Sequence, residues 1–170
     1  TDVDAVQAVT GADTSAERIG GAEVHTTSTG VAQLRAATDA DALAQVRTLL
    51  GFLPLNNQAA PPLGAEAQGS ATDLDTFMPD DDAQPYDVTE ILAAVTDGDF
   101  TELSATYADN VVTGFAHVGG RAVGIVANQP ASLAGVLTRD GACKAARFIR
   151  TCDAFNLPVV QFVDCPGFYP

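Results

Sequence analysis

Lysine is nearly missing from this sequence of 170 residues: Lys144 is the only one, and the formal charge is −14. Binding to nucleic acid draws on clustered Lys and Arg that release counterions from phosphates, so this balance argues against a nucleic-acid partner. It also disfavours an anionic membrane surface. Although 46% of the residues are apolar, no run approaches the roughly 18–20 uninterrupted apolar residues of a membrane helix, and no membrane role is expected. Cysteine is scarce: Cys143, Cys152 and Cys165 form no CxxC pair, and an odd number suits reduced thiols inside the cell, pointing to a cytoplasmic protein rather than a disulfide scaffold. The opening TDVDAVQAVT lacks an initiator Met, a basic patch and an apolar h-region, so it does not read as a signal peptide, and the chain reads as cut from something longer. His25 and His117 lie far apart with no GxSxG nearby, which argues against a nucleophilic triad. The scattered Cys and His also lack zinc-ligand spacing, so no metal is expected in this chain.

What is present divides into three stretches. Residues 1–63 open with an apolar pattern and a glycine-rich turn, IGGAEVHTTSTG. A helix follows, capped by Thr38 or Asp39, in which Leu43, Val46, Leu49, Leu50 and Leu53 recur at helical spacing as one buried stripe until Pro54. That helix needs a partner surface, and the stretch has no convincing run of strands. Residues 64–84 shift to Ala, Pro, Gly and Asp without apolar periodicity and read as a linker. In residues 85–170, YDVTEILAAV starts a helix with Asp87 as cap and Glu90 three positions on. Val88, Ile91, Leu92 and Val95 would face inward, and Gly98 would stop it. VVTGFAHV and RAVGIVA, separated by Gly119 and Gly120, predict a two-residue hairpin. A helix from about Asp140 to Phe155 follows, with Ala142, Ala145, Ala146, Ile149 and Cys152 inward, and then the apolar strand PVVQFVD. Strand, helix, strand predicts a right-handed βαβ crossover in a covered parallel sheet. Ligands bind beyond the carboxyl ends of such strands, which points to the loop after Asp164.

The segments GRAVGIVANQP and KAARFIRTCDAFNLPVVQFVDCPGFYP resemble the carboxyl-terminal domain of acetyl-CoA and propionyl-CoA carboxylase carboxyltransferases, a family with a crotonase-like α/β fold. ERIGGAEVHTTSTGVA, the leucine-rich helix and LPLNN resemble the end of that family's amino-terminal domain, and DLDTFMPDDDAQPYDVTEIL the join. The resemblance runs along nearly the whole chain. It implies a division into the end of the amino-terminal domain (1–63), a linker (64–84) and the first half of the carboxyl-terminal domain (85–170). It implies transfer of a carboxyl group from carboxybiotin, held on a partner carrier, to the α carbon of a short acyl-CoA such as acetyl-CoA or propionyl-CoA. The site lies between subunits, one holding the acyl-CoA and another the biotin. Partners would be a biotin carboxylase and biotin carboxyl carrier subunit, in a homo-oligomer built as a hexamer from dimers. The mechanism assigned to the family rests on two stabilised oxyanions, for which paired backbone amides suffice, typically about 3 kcal/mol per donor. No side-chain acid or base in this chain is therefore expected to be catalytic. The glycine-rich segments supplying the principal amides fall outside this sequence, so these residues alone are not expected to turn over. Two other readings remain: a methylmalonyl-CoA decarboxylase or transcarboxylase subunit, and a non-catalytic piece that keeps only a dimerising surface.

Within the chain, the resemblance favours Gly167 and Phe168 for biotin over an ordinary turn: a glycine lets backbone approach a ligand, and the phenyl ring can pack on the bicyclic ring. Asn128, Gln129 and Pro130 also follow a strand and are expected to act structurally rather than shape the mouth. Lys144, Arg147 and Arg150, with Arg139 just before them, are expected to form a solvated basic face rather than a coenzyme A contact. Cys152 is expected to be packing, and Gly20, Gly21 and His25 a turn near the subunit contact.

Overall fold

The computed structural model describes residues 2–65, 74, 77–79, 81 and 84–169, so most of the expected linker and part of the join lie outside the described residues. The chain begins with four helices: α1 (Val3–Thr10), α2 (Ala16–Gly20), α3 (Ala22–Thr27) and α4 (Asp39–Phe52). After residue 84 come α5 (Val88–Val95), β1 (Thr101–Leu103), β2 (Val111–Val118), β3 (Arg121–Asn128), α6 (Arg139–Ala154) and β4 (Val159–Phe162). The strands form one sheet in the order β1-β2-β3-β4, antiparallel from β1 to β3 and parallel between β3 and β4.

The β2–β3 hairpin is the centre. Gly119 and Gly120 both take positive φ (59° and 73°), as a tight turn matched to strand twist requires. The carboxylate of Asp97 accepts from both of their amides at 3.0 and 2.7 Å. Alternation along the strands then gives the sheet two apolar faces. Val111, Phe115, Ala122 and Val126 meet Phe148 and Cys152 of α6 and Phe52 of α4. Val112, Ala116, Val123, Ile125 and Ala127 meet Val88 and Leu92 of α5. Phe52 stacks on Phe115 and on His117, with ring centroids 5.8 and 4.9 Å away. Burial of such a side chain contributes about 2–3 kcal/mol.

Gly124 on β3 sets how closely α6 can lie. A Cβ there would come within 2.4 Å of the Cys152 sulfur and 3.1 Å of the Phe148 ring. Burial pushes the Cys152 thiol up to about 11, so it packs as a small apolar group, as expected from sequence. The crossover β3–α6–β4 brings β4 parallel to β3, also as expected.

Several expectations are corrected. IGGAEVHTTSTG is not one turn: Gly21 separates α2 from α3, and His25 lies within α3 with its Nδ1 3.0 Å from the Thr29 hydroxyl. The apolar stripe of α4 is not buried, since Leu43, Val46 and Leu50 are exposed while only Phe52 is fully enclosed. Helical spacing reveals an apolar face, but not whether a partner covers it. The covered parallel strand is likewise an open edge, with Val159 and Val160 exposed.

In α6 the inward stripe is Gly141, Lys144, Phe148 and Cys152, while Ala146 and Ile149 are exposed. The expected basic face therefore breaks up. Arg150 is exposed, Arg147 donates to the Gly30 carbonyl at 2.6 Å, and Lys144 is buried. Its ammonium donates to the carbonyls of Ser104, Tyr107 and Ala108 at 2.8, 2.9 and 3.4 Å, fastening α6 to the loop between β1 and β2. Burial lowers the Lys144 pKa to about 8, against the opposing charges of Glu102 and Asp109.

Removing this ammonium leaves three carbonyls without their donor, so Lys144→Met is expected to cost about 2–4 kcal/mol in urea unfolding of the purified protein. Between the folded value near 8 and the ordinary 10.5, the unfolded chain binds more protons than the folded one. Stability from this group therefore rises with pH across that window. The melting temperature of the wild type should climb relative to that of Lys144→Met between pH 8 and 10, and parallel curves would refute the assignment.

Candidate functional site

Strands β3 and β4 end side by side, and three loops meet beyond their carboxyl ends: 129–138, 163–169 and the approach to α5. Asn128, the last residue of β3, joins two of them. Its Nδ2 donates to the Gly135 carbonyl at 3.0 Å, and its Oδ1 accepts from the Asp164 amide at 3.4 Å. Gln129 joins the third, because its Oε1 accepts from the Val88 amide at 3.2 Å while its Nε2 donates to Asp87 Oδ1 at 2.8 Å. Burial pushes the Asp87 carboxyl up, but hydrogen bonds from Gln129 and Thr89 outweigh it and hold the group below its ordinary value. Asn128 and Gln129 thus act structurally, as the sequence led us to expect.

Between these anchors Leu133, Ala134 and Gly135 take successive left-handed conformations, with φ of 49°, 53° and 73°. Glycine is required at the third, since a Cβ would sit 2.5 Å from the Asp164 carbonyl oxygen. Opposite, the Tyr86 hydroxyl donates to Asp164 Oδ2 at 2.8 Å. Burial and then the bonded carboxylate push the Tyr86 pKa up to about 12, so the phenol remains a donor across the physiological range.

The loops enclose a cleft of about 420 Å³ lined by Pro85, Tyr86, Pro130, Ala131, Ala134, Asp164 and Pro166. Its walls are largely apolar, with the Gln84 amide, the Tyr86 hydroxyl and the Asp164 carboxylate as polar groups, the composition of a small-molecule site. Pro130 lines it, unlike Asn128 and Gln129. Gly167 and Phe168 continue from the Pro166 wall. The Gly167 carbonyl accepts from the Leu137 amide at 3.0 Å, and the Tyr169 amide donates to the Leu137 carbonyl at 3.0 Å, so the turn is fastened to the start of the α6 connection. Among the described residues, no atom beyond its chain neighbours lies within 4 Å of where a Gly167 Cβ would project, and Phe168 is 82% exposed. The turn is therefore outside the core, with its aromatic ring largely exposed. Sequence reasoning pointed to the loop after Asp164 but missed Tyr86, Pro85 and Pro166; the Pro pair around an aromatic-acid contact carries no periodic signal.

Elsewhere, the two histidines remain apart. The His117 ring lies 2.5 Å from Asp99 Oδ2 through Nδ1, and its buried Nε2 has no hydrogen-bond partner among the described residues. His25 belongs to α3.

The sequence profile of the family described as "Carboxyl transferase domain" matches residues 1–170. The chain is 45% identical, over its whole length, to a biotin-dependent acetyl-/propionyl-coenzyme A carboxylase beta5 subunit of Mycobacterium tuberculosis, of which it covers 33%. It is 44% identical to a methylmalonyl-CoA decarboxylase subunit alpha of Veillonella parvula, over 97% of this chain and 33% of that protein. The fold aligns with the crystal structure of transcarboxylase 12S, a hexamer assembly with methylmalonyl-coenzyme A and methylmalonic acid bound, at a TM-score of 0.94 and 41% identity, covering all of this chain and 34% of the other. The chain thus spans about a third of the length of the curated relatives it matches.

Gly135→Ala is expected to lower stability by about 1–3 kcal/mol, because strain at positive φ adds to a clash with backbone. Gly11→Ala, with φ of 67° but no atom within 4 Å, should cost about 1 kcal/mol or less. Urea midpoints of the two variants check the contrast, and equal shifts would contradict it.

Proposed function

Because the chain belongs to the carboxyl transferase domain family, with the crotonase-like α/β fold of that family, we propose that it is part of the carboxyltransferase subunit of a biotin-dependent acyl-CoA carboxylase. The observation that carries the reading is the cleft beyond the carboxyl ends of β3 and β4, walled by prolines and continued by the open Gly167–Phe168 turn. The carboxyl group comes from carboxybiotin on a partner carrier and goes to the α carbon of a short acyl-CoA, acetyl-CoA or propionyl-CoA. Biotin, when bound, supplies that carboxyl group through its ureido nitrogen.

The residues present fit such a group. A volume of about 420 Å³ suits a small bicyclic ring, since ligand clefts begin at roughly 300 Å³. Gly167 leaves backbone accessible without a side chain in the way, and the exposed Phe168 ring offers a flat apolar surface to cover a bound ring. We assign residues 1–63 to the end of an amino-terminal domain that receives acyl-CoA, 64–84 to a linker and 85–170 to the start of the biotin-receiving domain. The partners are a biotin carboxylase and biotin carboxyl carrier subunit, in a cytoplasmic hexamer built from dimers. Among the described residues no helix is long and apolar enough to cross a membrane.

A second reading, a methylmalonyl-CoA decarboxylase or transcarboxylase subunit, rests on similarity of nearly equal strength. Carboxyl gain by propionyl-CoA from carboxybiotin, measured with the intact subunit and its partners, supports the carboxylase. Net release of carbon dioxide from methylmalonyl-CoA supports the decarboxylase, and no transfer in either direction overturns both. In the intact enzyme Phe168→Ala is expected to raise the KM for biotin about tenfold, corresponding to roughly 1.4 kcal/mol; an unchanged KM would remove Phe168 from the site.

A further inference from the structure

The Tyr86–Asp164 contact joins residues 78 positions apart, across the cleft rather than beneath it. Asp164 is the hub of this corner. Its side chain accepts from Tyr86, its amide donates to Asn128, and its carbonyl lies against Gly135 so closely that no side chain fits there. Three residues on, the Gly167 carbonyl is held by the Leu137 amide. The segment 164–167 is therefore fixed at both ends, by Asn128 and Leu137 from one side of the cleft and by Tyr86 from the other. Among the described residues, only the Tyr86 bond reaches it from the approach to α5.

We propose that Tyr86 and Asp164 form a positioning pair that holds the Gly167–Phe168 turn at its working distance from a bound biotin ring. This rests on the assignment of the cleft to biotin. The pair acts through the turn and takes no proton from the substrate. With the hydroxyl replaced by hydrogen, the segment keeps its bonds to Asn128 and Leu137 but loses its tie to the approach to α5, so the Asp164 end of the turn is less tightly held. The ordering of that turn must then be supplied at each binding event, which weakens binding of the ring more than it slows chemistry once bound. The acyl-CoA, held by other residues, should be little affected.

The test uses the intact carboxyltransferase subunit and free biotin as the probe, with transfer from methylmalonyl-CoA. In that reaction the carboxyl group leaves the α carbon for the ureido nitrogen, and the nitrogen's proton goes to the α carbon. Tyr86→Phe and Asp164→Ala are each expected to raise the KM for biotin about tenfold, to lower kcat less than threefold and to leave the KM for methylmalonyl-CoA within twofold. The double variant should resemble either single one, because both remove the same link. An unchanged KM for biotin, a multiplied effect in the double variant, or an equal rise in both KM values would each overturn the pairing. Absence of transfer by the wild type would instead overturn the assignment of the cleft, so the two failures are distinguishable.

Discussion

Burial of the β2–β3 hairpin on both faces is the constraint on which the remainder depends. A strand pair enclosed on one side only needs apolar residues at alternate positions; here both sets must be apolar or internally satisfied. Thr113 meets the demand by donating its hydroxyl to the Leu103 carbonyl, and His117 meets half of it by the bond of its Nδ1 to Asp99. Once the hairpin is sandwiched between α6 with Phe52 and α5, the end of β3 has one possible place. Asn128 and Gln129 then transmit that place to the loops through side chains rather than through further strands.

The sequence was most informative where chemistry is local. A Gly-Gly pair between two β-branched runs specifies a turn by its backbone freedom, and Asp87 or Thr38 before an apolar run specifies a helix start. It was least informative where a residue's role depends on distant chain. Lys144 read as a solvated charge because its three carbonyl partners come from residues 104–108, beyond a whole hairpin. Counting it as polar rotated the inferred inner face of α6 toward Ala146 and Ile149. The exposed stripe of α4 is the opposite case, an apolar face without its cover among the described residues. Short β1, with three residues and no alternation to read, went unnoticed.

The candidate site was legible as a location but not as a set. Topology places ligands beyond parallel strand ends, so the loop after Asp164 could be named from pattern alone. Gly167 and Phe168 came from the resemblance to a family. Tyr86 had no local signal, since its significance arises from a hydroxyl that meets a carboxylate across three loops. Proline at 85, 130 and 166 likewise gains meaning only when the three are seen to line one cleft.

The close approach at Gly124 has a further consequence, for the pace and pattern of divergence. With the Cys152 sulfur within 2.4 Å of the missing methyl group, the two positions share one small volume. A lineage that acquires alanine on the strand must first or simultaneously trim the helix residue to alanine or glycine, so the pair is free to drift only in concert.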